Sequence, residues 1–324
     1  MLENQDSPAI KAINLTKHFG KRTAVDHLNL NIFPGELYTL LGDNGAGKTT
    51  TLNMLTTLLA PTAGEIYICG YNGITQSEKI KECFGVVSQD VCIYNELTAY
   101  ENLQFLADLY ALPKKKARER IELLLKNAGL SERANDLAGT FSSGMQRKLT
   151  IAGAMLHEPK VLFMDEPTVG LDPASRLQIW VTLTQLRKQG VTILLTTHYL
   201  EEAETLSDRI GIIREGKLVA EGTINDLRHK IQAIRSIAIR LTNHFDPEAI
   251  KTKLQQFAVK FPAKSHYDLL HNTITFAQPK DSHLPGCLQT ITAWLQEESI
   301  PYSKLATIEP NLEEVYLAIS GLAK

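Results

Sequence analysis

The stretch LYTLLGDNGAGKTTTLNML, Leu37 to Leu55, constrains this chain more than any other. It opens as a nearly unbroken apolar run, the pattern of a strand covered on both faces. It then passes through Gly42, Gly45 and Gly47 and ends in Lys48 and three threonines on a segment of helical length. The spacing Gly42-x-x-x-x-Gly47-Lys48-Thr49, after a strand and before a helix, is that of a phosphate-cradling loop. Glycines let successive backbone N–H groups turn toward phosphate oxygens, and the helix N-terminus adds a positive dipole end. Lys48 is expected to reach the β- and γ-phosphates and Thr49 to ligate Mg²⁺. A glycine-rich turn that merely feeds a helix is the rival reading.

Composition limits what surrounds this loop. At 324 residues the chain exceeds one average core, so two domains are expected. A net charge of −2 supplies no field for non-specific nucleic-acid binding, and no nucleic-acid partner is expected. Cys69, Cys83, Cys92 and Cys287 are scattered without a C-x-x-C pair, which fits a reducing cytosol rather than a disulfide or zinc framework. No apolar run approaches the roughly 18 residues that span a bilayer. The best, VTILLTT (Val191–Thr197), reads as a buried strand, and the acidic start MLENQDSPAI lacks a signal region. The expectation is a chain soluble by itself, whose membrane role would need a partner.

Apolar alternation in AIKAINLTKHF and AVDHLNLNIF predicts antiparallel strands. KTTTLNMLTTLLA, residues 48–60, is read as a helix that stops at the turn signal PTAG. From about Ile93 to Glu158 the spacing becomes helical, in AYENLQFLADLYAL and ARERIELLLKNAGL. Strand character returns at KVLFMDE, followed by a helix over Ala174–Gln189, VTILLTTH, another helix and RIGIIREGKLVAEG. A sheet-and-helix core with a helical insertion over about 93–158 is the expected organisation of residues 1–228. Residues 229–324 are read as a second, α+β unit. SIAIRL, NTITF and YSKLATIE are its strands, and DPEAIKTKLQQFA and PGCLQTITAWLQEES its helices, an order that suggests a small βαββαβ sandwich. Asp246 caps the first helix, with Pro247 in its first turn. NLEEVYLAIS closes the chain as an amphipathic helix, with Asn311 and Glu314 spaced as a capping box.

Further motifs narrow the chemistry. VLFMDEP carries Asp165 and Glu166 to the end of a buried strand, where the chain leaves the pleat and both carboxylates can flank one site. Asp165 suits Mg²⁺, through water, and Glu166 suits a general base for an attacking water. A helix-capping acidic pair is the bland alternative. FSSGMQRKL opens a helix at Ser142, Ser143 and Gly144, and alone would be read as a simple cap. PKKKARER (Pro113–Arg120) reads as a solvated helix face, and Trp294 as core.

In order, the P-loop, VVSQD, FSSGM, VLFMDEP, VGLD and TTH make up the motif series of the ABC (ATP-binding cassette) ATPases, which the chain resembles over about residues 8–225. The resemblance implies a P-loop α/β cassette: a mixed sheet core, an antiparallel β subdomain and an inserted helical subdomain. It implies ATP and Mg²⁺ as cofactors, with Phe19 stacking on adenine. Gly42, Asn44, Gly45, Ala46, Gly47, Lys48, Thr49 and Thr50 would form the phosphate loop. Gln89 would touch Mg²⁺ where a membrane partner docks. Ser142 and Gly144 would close on the γ-phosphate held by a second copy, with Asp172 as the D-loop acid. Glu166 would be the base and His198 the γ-phosphate switch. Asp43 and Ser143 depart from the family's usual residues: a carboxylate at 43 is mildly unfavourable near phosphates unless it points away, and a side chain at 143 would crowd the phosphate.

EPNLEEVYLAISG (Glu309–Gly321) and LTAYENL (Leu97–Leu103) resemble the daunorubicin-exporter-like branch. That branch implies a homodimer with ATP at its interface, held at the cytoplasmic face of the membrane by a separate integral membrane permease. The substrate would be a drug, lipid or polysaccharide-like compound. The alternative from another class is a soluble ABC switch acting without transport. A GTPase is disfavoured because the chain contains no N-K-x-D motif.

Overall fold

The structure, a computed structural model, describes residues 7–230, 236–242, 245–261, 263, 265–277 and 284–319. The alternating N-terminal segments are β1 (Ile10–Phe19) and β2 (Arg22–Ile32), an antiparallel pair whose last register is Phe19 opposite Arg22. Ala12, Leu15, Val25, Leu28 and Leu30 are buried; alternation is kept within stretches such as Ile10–Ala12 and Leu28–Ile32 and is shifted by irregular pairing between Ala12 and Leu15. β3 (Leu37–Leu41) is buried at every position, and the glycine loop leads from it into α1 (Lys48–Leu55). The helix is five residues shorter than the run to Ala60 suggests. Thr56 ends it, with its hydroxyl donating to the Leu52 carbonyl, and Thr57 turns into left-handed backbone at φ 60°. Crowded β-branched residues favour that exit. β4 (Ala63–Ile68) and β5 (Tyr71–Asn72) complete a four-stranded sheet in the order β2-β1-β4-β5.

α2 (Ser77–Lys81) and β6 (Phe84–Val87) lead into three longer helices: α3 (Ala99–Leu109), α4 (Lys114–Asn127) and α5 (Ser143–Ala154). A reciprocal Thr98–Glu101 capping box starts α3. Lys114, Lys115, Lys116 and Arg118 of α4 are exposed, while Ala117, Ile121, Leu124 and Leu125 are buried. β7 (Val161–Asp165), α6 (Pro173–Lys188), β8 (Thr192–Thr197), α7 (Leu200–Leu206), β9 (Arg209–Arg214) and β10 (Lys217–Gly222) follow.

The second sheet runs β10-β9-β3-β8-β7-β6. All neighbours are parallel except the edge strand β10. Like β3, β7 and β8 are buried throughout, as strands covered on both faces must be. Parallel pairing brings the carboxyl ends of β3, β6, β7 and β8 to one edge, the location of ligand crevices in open α/β sheets.

The chain divides into two units, Met1–Ile224 and Asn225–Lys324. α8 (Ile224–Lys230), β11 (Ser236–Leu241), α9 (Pro247–Lys260), β12 (Ser265–Asp268), β13 (Thr273–Ala277), α10 (Leu284–Glu297), β14 (Tyr302–Ile308) and α11 (Leu312–Ile319) are its last elements. Their antiparallel sheet has the order β12-β13-β11-β14, the arrangement of a split βαββαβ unit. β12 is the strand the sequence reading had not located. It is a four-residue edge strand with no buried residue, so it carries no apolar alternation. Asp246 caps α9 by accepting from the Ala249 amide, and Asn311 accepts from the Glu314 amide at the start of α11. Trp294 is core, stacked on Phe257 with ring centroids 4.6 Å apart. Ser320 and Gly321, the end of the Glu309–Gly321 run, lie outside the described residues.

Candidate active site

The edge where β3, β6, β7 and β8 end holds a cavity of about 400 Å³. Phe19, Asn44, Gly45, Gly47, Lys48, Thr49, Thr50, Gln89, Glu166 and His198 line it. They come from five separated stretches of chain; the parallel sheet order brings four together, and Phe19 comes from the end of β1 in the antiparallel sheet.

The loop from Gly42 to Gly47 is shaped by its glycines. Gly47 stands at φ 108°, and a Cβ there would lie 2.5 Å from the Ala24 carbonyl oxygen, so no other residue fits. Lys48 is 4% exposed. Its Nζ donates to the carbonyls of Gly42 (2.7 Å) and Asp43 (3.1 Å) and lies 3.1 Å from Glu166 Oε1. Asp43 is exposed and is not among the cavity's lining residues, so its carboxylate does not crowd the loop. Gly42 and Ala46 support the loop from behind. The Gly42 amide donates to the Thr197 carbonyl, and the Ala46 carbonyl accepts from the Gly216 amide.

Glu166 follows the last residue of β7 and has φ 45°, left-handed backbone for a residue with a side chain. Such conformations cost of order 1–3 kcal/mol and persist only where surroundings enforce them. Here the Glu166 amide is held by the Thr196 carbonyl at 3.0 Å. The twist takes Glu166 out of the pleat, which would otherwise point it away from Asp165. Glu166 Oε2 lies 3.1 Å from His198 Nδ1, so the carboxylate bridges Lys48 and His198. Asp165 is buried and accepts a hydrogen bond from Thr196 Oγ1. It lies behind the cavity wall rather than in it.

Ser142, Gly144 and Asp172 are not among the residues lining this cavity. Ser142 is the N-cap of α5 and accepts from the Met145 amide at 3.3 Å. Gly144 is buried against α6, where a Cβ would collide with Ser175 Oγ and come within 2.7 Å of its Cβ. Asp172 caps α6 through the Ser175 amide at 3.0 Å, and hydrogen bonds from Ser175 lower its carboxyl below the usual value.

The cavity also contains Arg22, Ala24 and Val169, which the motif reading missed. Arg22 could have been found from the hairpin, because its register partner is Phe19. Thr196, which holds both Asp165 and Glu166, lies in a run whose β-branched residues read as plain strand.

The family relationships agree with this geometry. Residues 25–169 match the ABC transporter family. The linearmycin resistance ATP-binding protein LnrL of Bacillus subtilis is 37% identical over 96% of this chain and 98% of its own. The daunorubicin/doxorubicin resistance ATP-binding protein DrrA of Streptomyces peucetius is 34% identical over 99% and 94%. Among solved structures, the dimeric post-hydrolysis state of the cassette MJ0796 bound to ADP and Pi superposes with a TM-score of 0.59. It is 29% identical and covers 66% of this chain and 98% of that one. The P-loop fold, the nucleotide cavity and full-length identity to resistance ATP-binding proteins converge: the chain belongs to the ABC transporter family, as an ATP-binding subunit with ATPase activity.

Proposed function

We propose that this chain powers an exporter. Two identical copies would close over ATP, and their cycle would drive a drug, lipid or polysaccharide-like compound through a separate integral membrane permease at the cytoplasmic face of the membrane. One observation carries the reading. Identity to LnrL and DrrA extends through the C-terminal unit as well as the cassette, and both relatives are named for drug resistance. Among the described residues no helix is long and apolar enough to cross a membrane.

The chemistry follows from the cavity. The half-exposed Phe19 ring offers a stacking face for adenine, and the loop amides together with Lys48 answer the phosphates. The exposed Thr49 hydroxyl and Gln89 line that end as hard oxygen donors suited to Mg²⁺; Asp165, outside the cavity lining, would act on the ion only through water. When bound, Mg²⁺ would neutralise charge on the phosphate oxygens. Lys48 cannot serve the γ-phosphate and Glu166 equally. As phosphate draws the ammonium away, Glu166 Oε1 becomes available to take a proton from the attacking water. His198 steadies the other carboxylate oxygen. Ser142 and Gly144 would face the nucleotide of the second copy, where the positive N-terminus of α5 completes the phosphate cage.

Co-purification tests this reading. A tagged chain is extracted from native membranes in mild detergent with Mg-ATP. A stoichiometric multi-spanning protein is the expected companion. Recovery only from the soluble fraction, with ribosomes or without a partner, would overturn the exporter.

A further inference from the structure

Arg147 sits in the second turn of α5, one turn beyond Ser142 and Gly144, and is 3% exposed. Its guanidinium faces neither solvent nor a carboxylate in contact. Nη1 donates to the Ser88 carbonyl and Nη2 to the Gln89 carbonyl, each at 2.6 Å. Nε is buried without a hydrogen-bond partner. Asp90 acts on the group only through space, and burial lowers its pKa from the usual value.

This arrangement is poor economy if stability is its purpose. A buried cation with neutral partners and an orphan donor carries a desolvation penalty that an apolar side chain of similar volume avoids. What it provides is geometry. The planar fork of an arginine fixes two successive carbonyls at once, which a point donor cannot do. Gln89 lines the cavity, and its backbone carbonyl is gripped from α5.

We propose that Arg147 is a positioning residue that locks the backbone of the Gln89 loop to α5, so that Gln89 and the Ser142–Gly144 turn move as one piece. The inference rests on the ATPase reading above. Gln89 belongs to the cavity of its own copy, whereas the first turn of α5 would serve the cavity of the other. Arg147 is then the link by which one site reports to its neighbour.

A double-mutant cycle in the full-length chain tests it. Arg147→Lys keeps a cation and one donor but loses the fork. It should lower kcat between about 10- and 100-fold, the range for a misplaced active-site group. KM for ATP should change by less than about twofold, because Phe19 and the phosphate loop are untouched. On top of Gln89→Ala, the same substitution should add almost nothing, since it acts through Gln89. Hydrogen exchange should rise at residues 88–90 and 142–145 together. Multiplicative losses in the double variant, a raised KM at unchanged kcat, or deprotection of 88–90 alone would each overturn the link. A wild-type chain that does not hydrolyse Mg-ATP fails the functional reading first, before any cycle is measured.

Discussion

Glu166 Oε1 stands 3.1 Å from Lys48 Nζ, and both side chains are at least nine-tenths buried. One residue directly follows β7 and the other opens α1, yet the register of β3, β8 and β7 makes them partners. The proposed general base and the proposed phosphate cation are thus paired before any phosphate competes for the ammonium.

Lys48→Ala should weaken ATP binding by roughly 10- to 100-fold, the range for losing charge-assisted hydrogen bonds to phosphate. It also leaves the buried Glu166 carboxylate with His198 but without its cationic partner, so a lower melting temperature should accompany the loss. Titration calorimetry with Mg-ATP and a thermal melt measure the two effects separately.

His198→Ala should reduce kcat by about 10²- to 10³-fold and leave ATP affinity nearly unchanged, as expected of a group that acts on the transition state. His198 contacts Glu166 Oε2 at 3.1 Å and also lines the cavity. Steady-state ATPase assays alongside equilibrium ATP binding check the split.

Gly144→Ala should cost about 1–3 kcal/mol of stability, because its Cβ would run into Ser175 in the first turn of α6. The cost is a packing effect and should be seen without nucleotide. Denaturant melts compare it with Ser143→Ala, at the adjacent exposed position, where little change is expected.

His157 gives stability a pH dependence. Burial lowers its pKa from the ordinary value, Arg120 adds to that effect, and the hydrogen bond to the Phe84 carbonyl opposes it; the ring stacks on Tyr110. A histidine depressed in the folded state binds more protons when unfolded, so stability rises with pH across that interval. The contribution is complete above the unfolded value of about 6.5 and is lost as pH falls through the folded one. Melting temperatures at pH 7.5 and 5.5 should differ more in the wild type than in His157→Asn.

The gathering of the glycine loop and Lys48 at one cavity was legible in the sequence because a P-loop writes its geometry into fixed glycines and a lysine. β3, β7 and β8 were legible because strands covered on both faces read as apolar runs. β12 was not, since an exposed edge strand has no buried face to alternate. The end of α1 was missed because the run after Leu55 keeps helical hydrophobicity while Thr57 adopts φ 60°. Arg22 and Arg147 were invisible for other reasons. Arg22 needed the hairpin register that sets it opposite Phe19, whereas Arg147 depends on contacts far away in sequence, reaching back to Ser88 and Gln89. The twist that turns Glu166 toward Lys48 is likewise enforced from Thr196, on a different strand.

The central claim is that ATP joins two copies and that Glu166 releases them by hydrolysis. Glu166→Gln keeps the shape of the side chain while removing its charge and basicity. Size exclusion with light scattering, at saturating Mg-ATP, is the direct measurement. A stable dimer that reverts to monomer when ATP is removed is the expected result. A variant that stays monomeric under those conditions would contradict a shared phosphate cage.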